Sequence, residues 1–200
     1  PIYFDGKIQF EKLDLSIYEN SLEACKNMDF VFHLAGIKGS TKMSITQPLD
    51  FFLPMIRFNT NMMEAAFKQN VKWYLYTSSI GVYSPSELMN EDDVWKTFPS
   101  ENDKYAGWAK RIGELQVEAF KKEFNFKSLH IVRPANIYGP FANFDPTNSM
   151  VVSSLIKRFV DQEDPLIVWG DGSAIRDFVY SKDVAKSMIK VIEKNIQVPI

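Results

Sequence analysis

The chain has 200 residues, 46% of them hydrophobic and 14% aromatic, with a formal net charge of −2. These are values of one sizeable globular domain with a full core, and they exclude a disordered chain. A near-neutral balance gives no footprint for nucleic acid or an anionic membrane surface, and one cysteine, Cys25, excludes an internal disulfide framework and fits a reducing cytoplasm.

In chain order, "KIQFEKLDL" (7–15) alternates apolar and polar residues, which predicts a strand. Ser16 with Glu19 three residues on predicts a capping box opening the helix "SIYENSLEACKNM". "DFVFHLAG" (29–36) is a short, nearly continuous apolar run, as expected of a buried parallel strand. From 55 to 69, Met55, Phe58, Met62, Ala65, Ala66 and Gln69 have helical spacing. "VKWYLYTSS" (71–79) is β-rich, 80–103 reads as a long loop, and 105–124 reads as a helix with Ile112, Leu115, Ala119 and Phe120 on one stripe. "KSLHIVRP" (127–134) predicts a strand stopped by Pro134, 149–159 a helix, and 165–170 a strand. Residues 176–180 read as extended, and Ser181 as the cap of a last helix. No apolar run approaches a membrane span, and "PIYFDGKIQF" has no signal-peptide core. The first residue is not Met, so a longer natural protein is expected.

Strand and helix alternate throughout, which predicts a parallel α/β sheet with crossover helices on both faces. Ligands of such sheets bind beyond the carboxyl ends of the strands. Three of those ends carry chemistry. "YLYTSSIGVYS" (74–84) places three hydroxyls there, able to bond a substrate oxygen that gains charge in a transition state; Ser and Thr also end strands for purely structural reasons. "KYAGWAKR" (104–111) sets Tyr105 near Lys110. An ammonium beside a phenol lowers its pKa and makes it an acid–base group, although each residue taken singly is more often surface. "RPANIYGPFANFDP" (133–146) is a loop stiffened by Pro134 and Pro140, with Asn136 offering both donor and acceptor at the sheet edge.

Taken together, "HLAG", "TSSIGVY", Tyr105 and Lys110 within "GWAKRIGE", and "RPANIYGP" occur in an order that resembles the extended short-chain dehydrogenase/reductase family of nucleotide-sugar epimerases, dehydratases and reductases. The resemblance spans roughly residues 8–190. It implies a Rossmann-type doubly wound parallel sheet, with 1–140 in the NAD(P)-binding domain, 141–175 in a sugar-nucleotide lobe and 176–200 returning to the first domain. The family's opening strand, glycine-rich loop, helix and second strand have no counterpart in this sequence, so the choice between NAD and NADP is not legible. By motif match, Asp14 and Leu15 lie near the adenine, Leu34, Ala35 and Gly36 along the cofactor's backbone, Thr77 and Ser78 beyond them, and Pro134, Ala135, Asn136 and Ile137 past the nicotinamide. Ser79 matches the catalytic hydroxyl and Lys110 the catalytic lysine. Asn136, Arg158, Trp169 and Arg176 match sugar-nucleotide positions, with GDP favoured as the nucleotide. A homodimer through the helices 55–69 and 105–124 is also implied.

The tyrosine departs from the family's Tyr-x-x-x-Lys. Four residues leave two helical side chains about 40° apart, whereas five leave them about 140° apart. Convergence of Tyr105 and Lys110 therefore requires either that Tyr105 precede the first regular turn, the favoured expectation, or that a π-bulge absorb the extra residue. In the other register Ala106 occupies the tyrosine's place. Members that invert C3 and C5 use a cysteine and a histidine where this chain has Gly81 and Met150, and dehydratases carry carboxylates where it reads "SIG" (79–81). What remains is a 4-epimerase or 4-keto reductase with Ser79, Tyr105 and Lys110 as catalytic residues. The alternative is a binding or regulatory member of the same fold, with the displaced tyrosine as its support.

Overall fold

The computed structural model describes residues 8–37, 46–145, 149–168 and 170–200. Strand β2 (Trp73–Thr77) is central, with β1 (Phe30–His33) and β3 (Leu129–Val132) parallel on either side. Phe30 pairs with Trp73 and His33 with Tyr76; Tyr74 pairs with Leu129 and Thr77 with Val132. Side chains of a strand alternate between faces, and the packing follows that period of two. Val31, Tyr74, Tyr76, Leu129 and Ile131 meet Cys25 of α1 (Tyr18–Cys25), Met62, Met63, Ala65 and Ala66 of α2 (Pro48–Lys68), and Val117 of α3 (Lys104–Phe124). Leu75 and Val132 face the other way, onto Met188, Val191 and Ile192 of α5 (Ser181–Glu193). Helices thus cover both faces of a parallel sheet in a Rossmann-type α/β layer. A second, two-stranded parallel ladder joins β4 (Asn136–Tyr138) to β5 (Phe178–Tyr180), and α4 (Val151–Val160) lies between them in sequence. Among the described residues no helix is long and apolar enough to cross a membrane.

Several sequence expectations are corrected. Residues 8–15 form no strand; a ladder needs a neighbour, and the described sheet offers them none. Ser16 caps nothing: its N–H and hydroxyl donate to Asp14 Oδ1 at 2.9 and 2.7 Å in a local turn, and the helix starts after Ile17. Helix α2 begins at Pro48 rather than 55, with that proline at the first turn, where its missing N–H costs nothing, and with Pro54 inside the helix. Residues 165–168 carry no strand. Asn136–Tyr138, read as loop, is a strand because β5, some forty residues on, supplies its partner. Ser181 is the first residue of α5, not its cap. A β-carbon at Gly139 would collide with the Ser181 side chain, which explains the glycine there.

The face of α3 is the largest correction. Its buried residues are Gly107, Ala109, Lys110, Arg111, Gly113, Glu114 and Val117. The apolar stripe is only partly covered, and Leu115 is 52% exposed. Charged side chains take the inner face because each finds partners there, as described next.

Candidate active site

The carboxyl end of β2 organises the site. Lys110 leaves the inner face of α3 and donates from Nζ to the Thr77 carbonyl at 2.7 Å, 5.2 Å above the Tyr76 ring. The ammonium is thus buried but satisfied. Tyr76 is tied in turn: its hydroxyl donates to the Lys110 carbonyl (3.2 Å) and accepts from Asn59 Nδ2 (3.1 Å). Asn59 Oδ1 lies 2.9 Å from His33 Nε2. Gly113 lets α3 approach, since a β-carbon there would strike the Tyr76 phenol. Burial, with the Lys110 charge adding to it against the Asn59 bond, pushes the His33 imidazole down to about 4, so it is neutral near pH 7.

Ser79, two residues beyond Thr77, has an extended backbone and its Oγ accepts from the Gly81 N–H at 3.1 Å. That bond leaves the hydroxyl hydrogen to donate elsewhere. Among the described residues Thr77 Oγ1 and Ser78 Oγ are buried and find no hydrogen-bond partner, an arrangement rare in folded proteins unless a ligand or water completes it. At the end of β1, Leu34 is exposed and, among the described residues, a β-carbon on Gly36 would meet nothing within 4 Å. Pro134 and Ala135, half-buried, follow β3, and Ile137 is exposed on β4.

Tyr105 stands apart. Helix α3 is one uninterrupted α-helix from Lys104, so Tyr105 lies in its first turn with regular conformation, and neither the irregular start nor a π-bulge occurs. Five helical steps turn the phenol about 140° from Lys110. The ring instead meets Phe52 of α2 edge-on at 6.3 Å and is 37% exposed. Ala106, four before Lys110, packs with the Met55, Phe58 and Ala109 cluster.

The remaining expected residues are spread along the ladder and α4. Asp14 is exposed, and bonds from Ser16 hold its carboxyl below the usual range. Leu15 packs between α1 and α2 residues, its carbonyl accepting from Ser21 Oγ and Asn61 Nδ2. Asn136 Nδ2 donates to the Asp177 carbonyl at 2.9 Å. Arg158 forks onto Glu163, Nε to Oε2 and Nη2 to Oε1 at 2.5 Å, and also donates to the Ile167 carbonyl. Exposed Arg176 donates to the neighbouring Ile175 carbonyl. Trp169 lies outside the described residues.

Sequence reasoning missed the polar framework beneath the site. Arg133 binds Glu114 through two bonds of 2.9 and 2.7 Å, both side chains 2% exposed, and donates to Tyr83 Oη and the Glu91 carbonyl. Arg111 donates to the Val82 and Thr97 carbonyls and lies over the rings of Trp95 and Trp108. Arg133 and Glu114 stand inside the quoted motifs, but nothing in a sequence shows that two charges nineteen positions apart face each other.

Comparison with known proteins agrees with this fold. GDP-L-fucose synthase of Escherichia coli is 30% identical over 177 residues, covering 85% of this chain and 54% of the relative. GDP-L-colitose synthase of Yersinia pseudotuberculosis is 28% identical over 178 residues, covering 86% and 58%. The chain therefore spans about half the length of the curated relatives it matches. A crystal structure of a GDP-L-fucose synthetase from Naegleria fowleri superposes with a TM-score of 0.82 at 20% identity, over 96% of this chain and 61% of that one. The model of the NAD dependent epimerase/dehydratase family matches residues 3–199, nearly the whole sequence, and the chain belongs to that family.

Proposed function

We propose that this chain carries active-site residues of an NAD(P)-dependent nucleotide-sugar oxidoreductase acting at sugar C4, as a 4-epimerase or 4-keto reductase. The observation that carries the reading is the buried Lys110 ammonium, fixed to the Thr77 carbonyl beside Ser79 and the two unpartnered hydroxyls of Thr77 and Ser78. These groups fit a nicotinamide dinucleotide: orphaned donors and an ammonium line up along one strand end. In this reading Asp14 and Leu15 border the adenine, and Leu34, Ala35, Gly36, Thr77 and Ser78 follow the diphosphate and ribose. Lys110 holds ribose hydroxyls, and Pro134 to Ile137 border the nicotinamide. The cofactor, when bound, supplies hydride acceptance and return.

Ser79 donates to the sugar oxygen that gains charge. Asn136, Arg158, Trp169 and Arg176 hold the sugar nucleotide in the lobe that the β4–β5 ladder brackets. For Arg158, the diphosphate takes the fork that Glu163 occupies, a planar bidentate geometry suited to either group. GDP is favoured because the relatives named above act on GDP-sugars. C4 is favoured because Gly81 and Met150 cannot move the protons of a C3/C5 inversion. A homodimer through α2 and α3 accounts for Leu53 and Leu115, exposed by 41% and 52%.

The displaced Tyr105 favours one other reading, a nucleotide-binding member without turnover. Incubation of the full chain with NAD(P)H and GDP-4-keto-6-deoxy sugars separates the two. Loss of the reduced-cofactor absorbance supports a reductase, and an altered sugar without that loss an epimerase. No turnover across the panel supports the binding protein. Lys110→Met should weaken cofactor binding at least tenfold, measured by fluorescence titration.

A further inference from the structure

Glycine inside a helix destabilises it, since alanine is the better helix former. Helix α3 nevertheless carries two, Gly107 and Gly113, both buried. Gly113 is explained by the Tyr76 phenol beside it. Gly107 meets a different neighbour: a β-carbon there would strike the Gly81 carbonyl oxygen and sit 2.7 Å from Pro99 Cβ. The helix that carries Lys110 thus rests directly on the backbone of the turn that carries Ser79. That turn holds together as a unit. The Val82 N–H donates to the Ser79 carbonyl, the Tyr83 N–H to the Ile80 carbonyl and the Gly81 N–H to Ser79 Oγ, each at 3.1 Å. Gly81 is therefore bonded to the Ser79 hydroxyl through its N–H and faces Gly107 through its carbonyl.

Both ends of the turn are anchored. Before it, the Ser78 N–H donates to the Val132 carbonyl at 2.7 Å. After it, Arg111, one helical turn beyond Gly107, donates from Nε and Nη2 to the Val82 carbonyl at 2.9 and 2.5 Å. A displacement forced on Gly81 is taken up between these anchors, where Ser79 stands. Lys110 is fixed from another side, by the Thr77 carbonyl and the Tyr76 ring.

Resting on the oxidoreductase reading above, we propose that Gly107 and Arg111 are positioning residues that act through Gly81 and Val82 to set the Ser79 hydroxyl against the reacting sugar oxygen. Helix α3 then has two separable tasks: Lys110 serves the cofactor, and the Gly107–Arg111 face serves the hydroxyl that stabilises charge on the sugar. A methyl group at 107 moves the hydroxyl and leaves the ammonium in place.

Two measurements test this. In the first, Gly107→Ala is compared with the parent for turnover of GDP-4-keto-6-deoxy sugar and for cofactor affinity by fluorescence titration. A misplacement of about 1 Å costs roughly 100-fold in rate. The expected result is a kcat lower by about that factor with cofactor affinity within about threefold. Ser79→Ala combined with Gly107→Ala should be no slower than Ser79→Ala alone, because a residue that acts through the hydroxyl has nothing left to misplace. Arg111→Lys keeps the charge but loses the two-pronged grip on Val82, and it should show the same split if Gly107→Ala does not fold. Turnover near that of the parent in the folded variants, cofactor affinity falling in step with kcat, or losses that multiply with Ser79→Ala overturn the proposal.

The second measurement needs no turnover. Calorimetric binding of GDP-mannose is compared with that of its 4-deoxy analogue. The parent should prefer the hydroxylated ligand about threefold or more, as a net hydrogen bond is worth, and Ser79→Ala, Gly107→Ala and Arg111→Lys should each lose that preference. A preference lost in Ser79→Ala but kept in the other two overturns the proposal and leaves the sugar-nucleotide reading standing. A preference lost in all three variants of a parent that turns nothing over supports the positioning and instead removes the redox reading. A parent that binds neither ligand, or binds both equally, overturns both.

Discussion

His33 is 2% exposed and shares a hydrogen bond with Asn59, which in turn holds Tyr76 and through it the Lys110 backbone. Its folded-state titration is lowered from 6.5 to about 4, first by burial. For a histidine whose pKa falls on folding, the neutral form is the one the fold favours. The stability it contributes is complete above about 6.5 and is lost as pH drops towards 4. Urea midpoints should therefore fall between those limits, and His33→Asn, which cannot charge, should flatten the curve in that window. Lys110 obeys the same rule of burial with satisfaction, since its ammonium has a carbonyl and a ring for neighbours. Its position was legible from motif order. The Tyr105–Lys110 geometry was legible only as a choice, because helix periodicity states the angle but not whether the first turn is regular.

Between β2 and α3 runs a long connection, 78–103, that includes three 3₁₀ turns, Ile80–Val82, Glu91–Lys96 and Glu101–Asp103. Its own apolar cluster is small: Val82, Tyr83 and Val94 with Ile80 beside them. Two arginines compensate. Arg133 of β3's end grips Tyr83 and Glu91, and Arg111 of α3 grips Val82 and Thr97, so the segment that carries Ser79 and Gly81 is fastened to both neighbouring elements. Removing Glu114 leaves the Arg133 charge buried and uncompensated, which costs roughly 3–5 kcal/mol. Glu114→Ala should lose about that much in chemical denaturation, and protease cleavage should concentrate in 84–99. The sequence pattern marks Ile112, Leu115, Ala119 and Phe120 as the apolar stripe of this helix and gives no sign that Arg111 and Glu114 are buried. Periodicity ranks side chains by polarity, whereas burial here was settled by which charges could be paired.

Across the whole molecule, the parallel sheet with helices on both faces follows from the chain's order of apolar runs and amphipathic segments. The outward stripe of α3 bears on assembly: Leu115→Lys should turn the proposed dimer into a monomer by light scattering while leaving the circular dichroism unchanged. By itself, the sequence determined the class of fold, the approximate elements around β1, β2, β3, α2 and α3, and where those strands end, because hydrophobic periodicity and turn residues act locally. Only the tertiary structure decided that β4 pairs with β5, that Arg133 meets Glu114, and that Tyr76 and Asn59 brace Lys110. Each of those is a contact between distant segments, fixed by how the elements dock and by which buried polar groups find partners when they do.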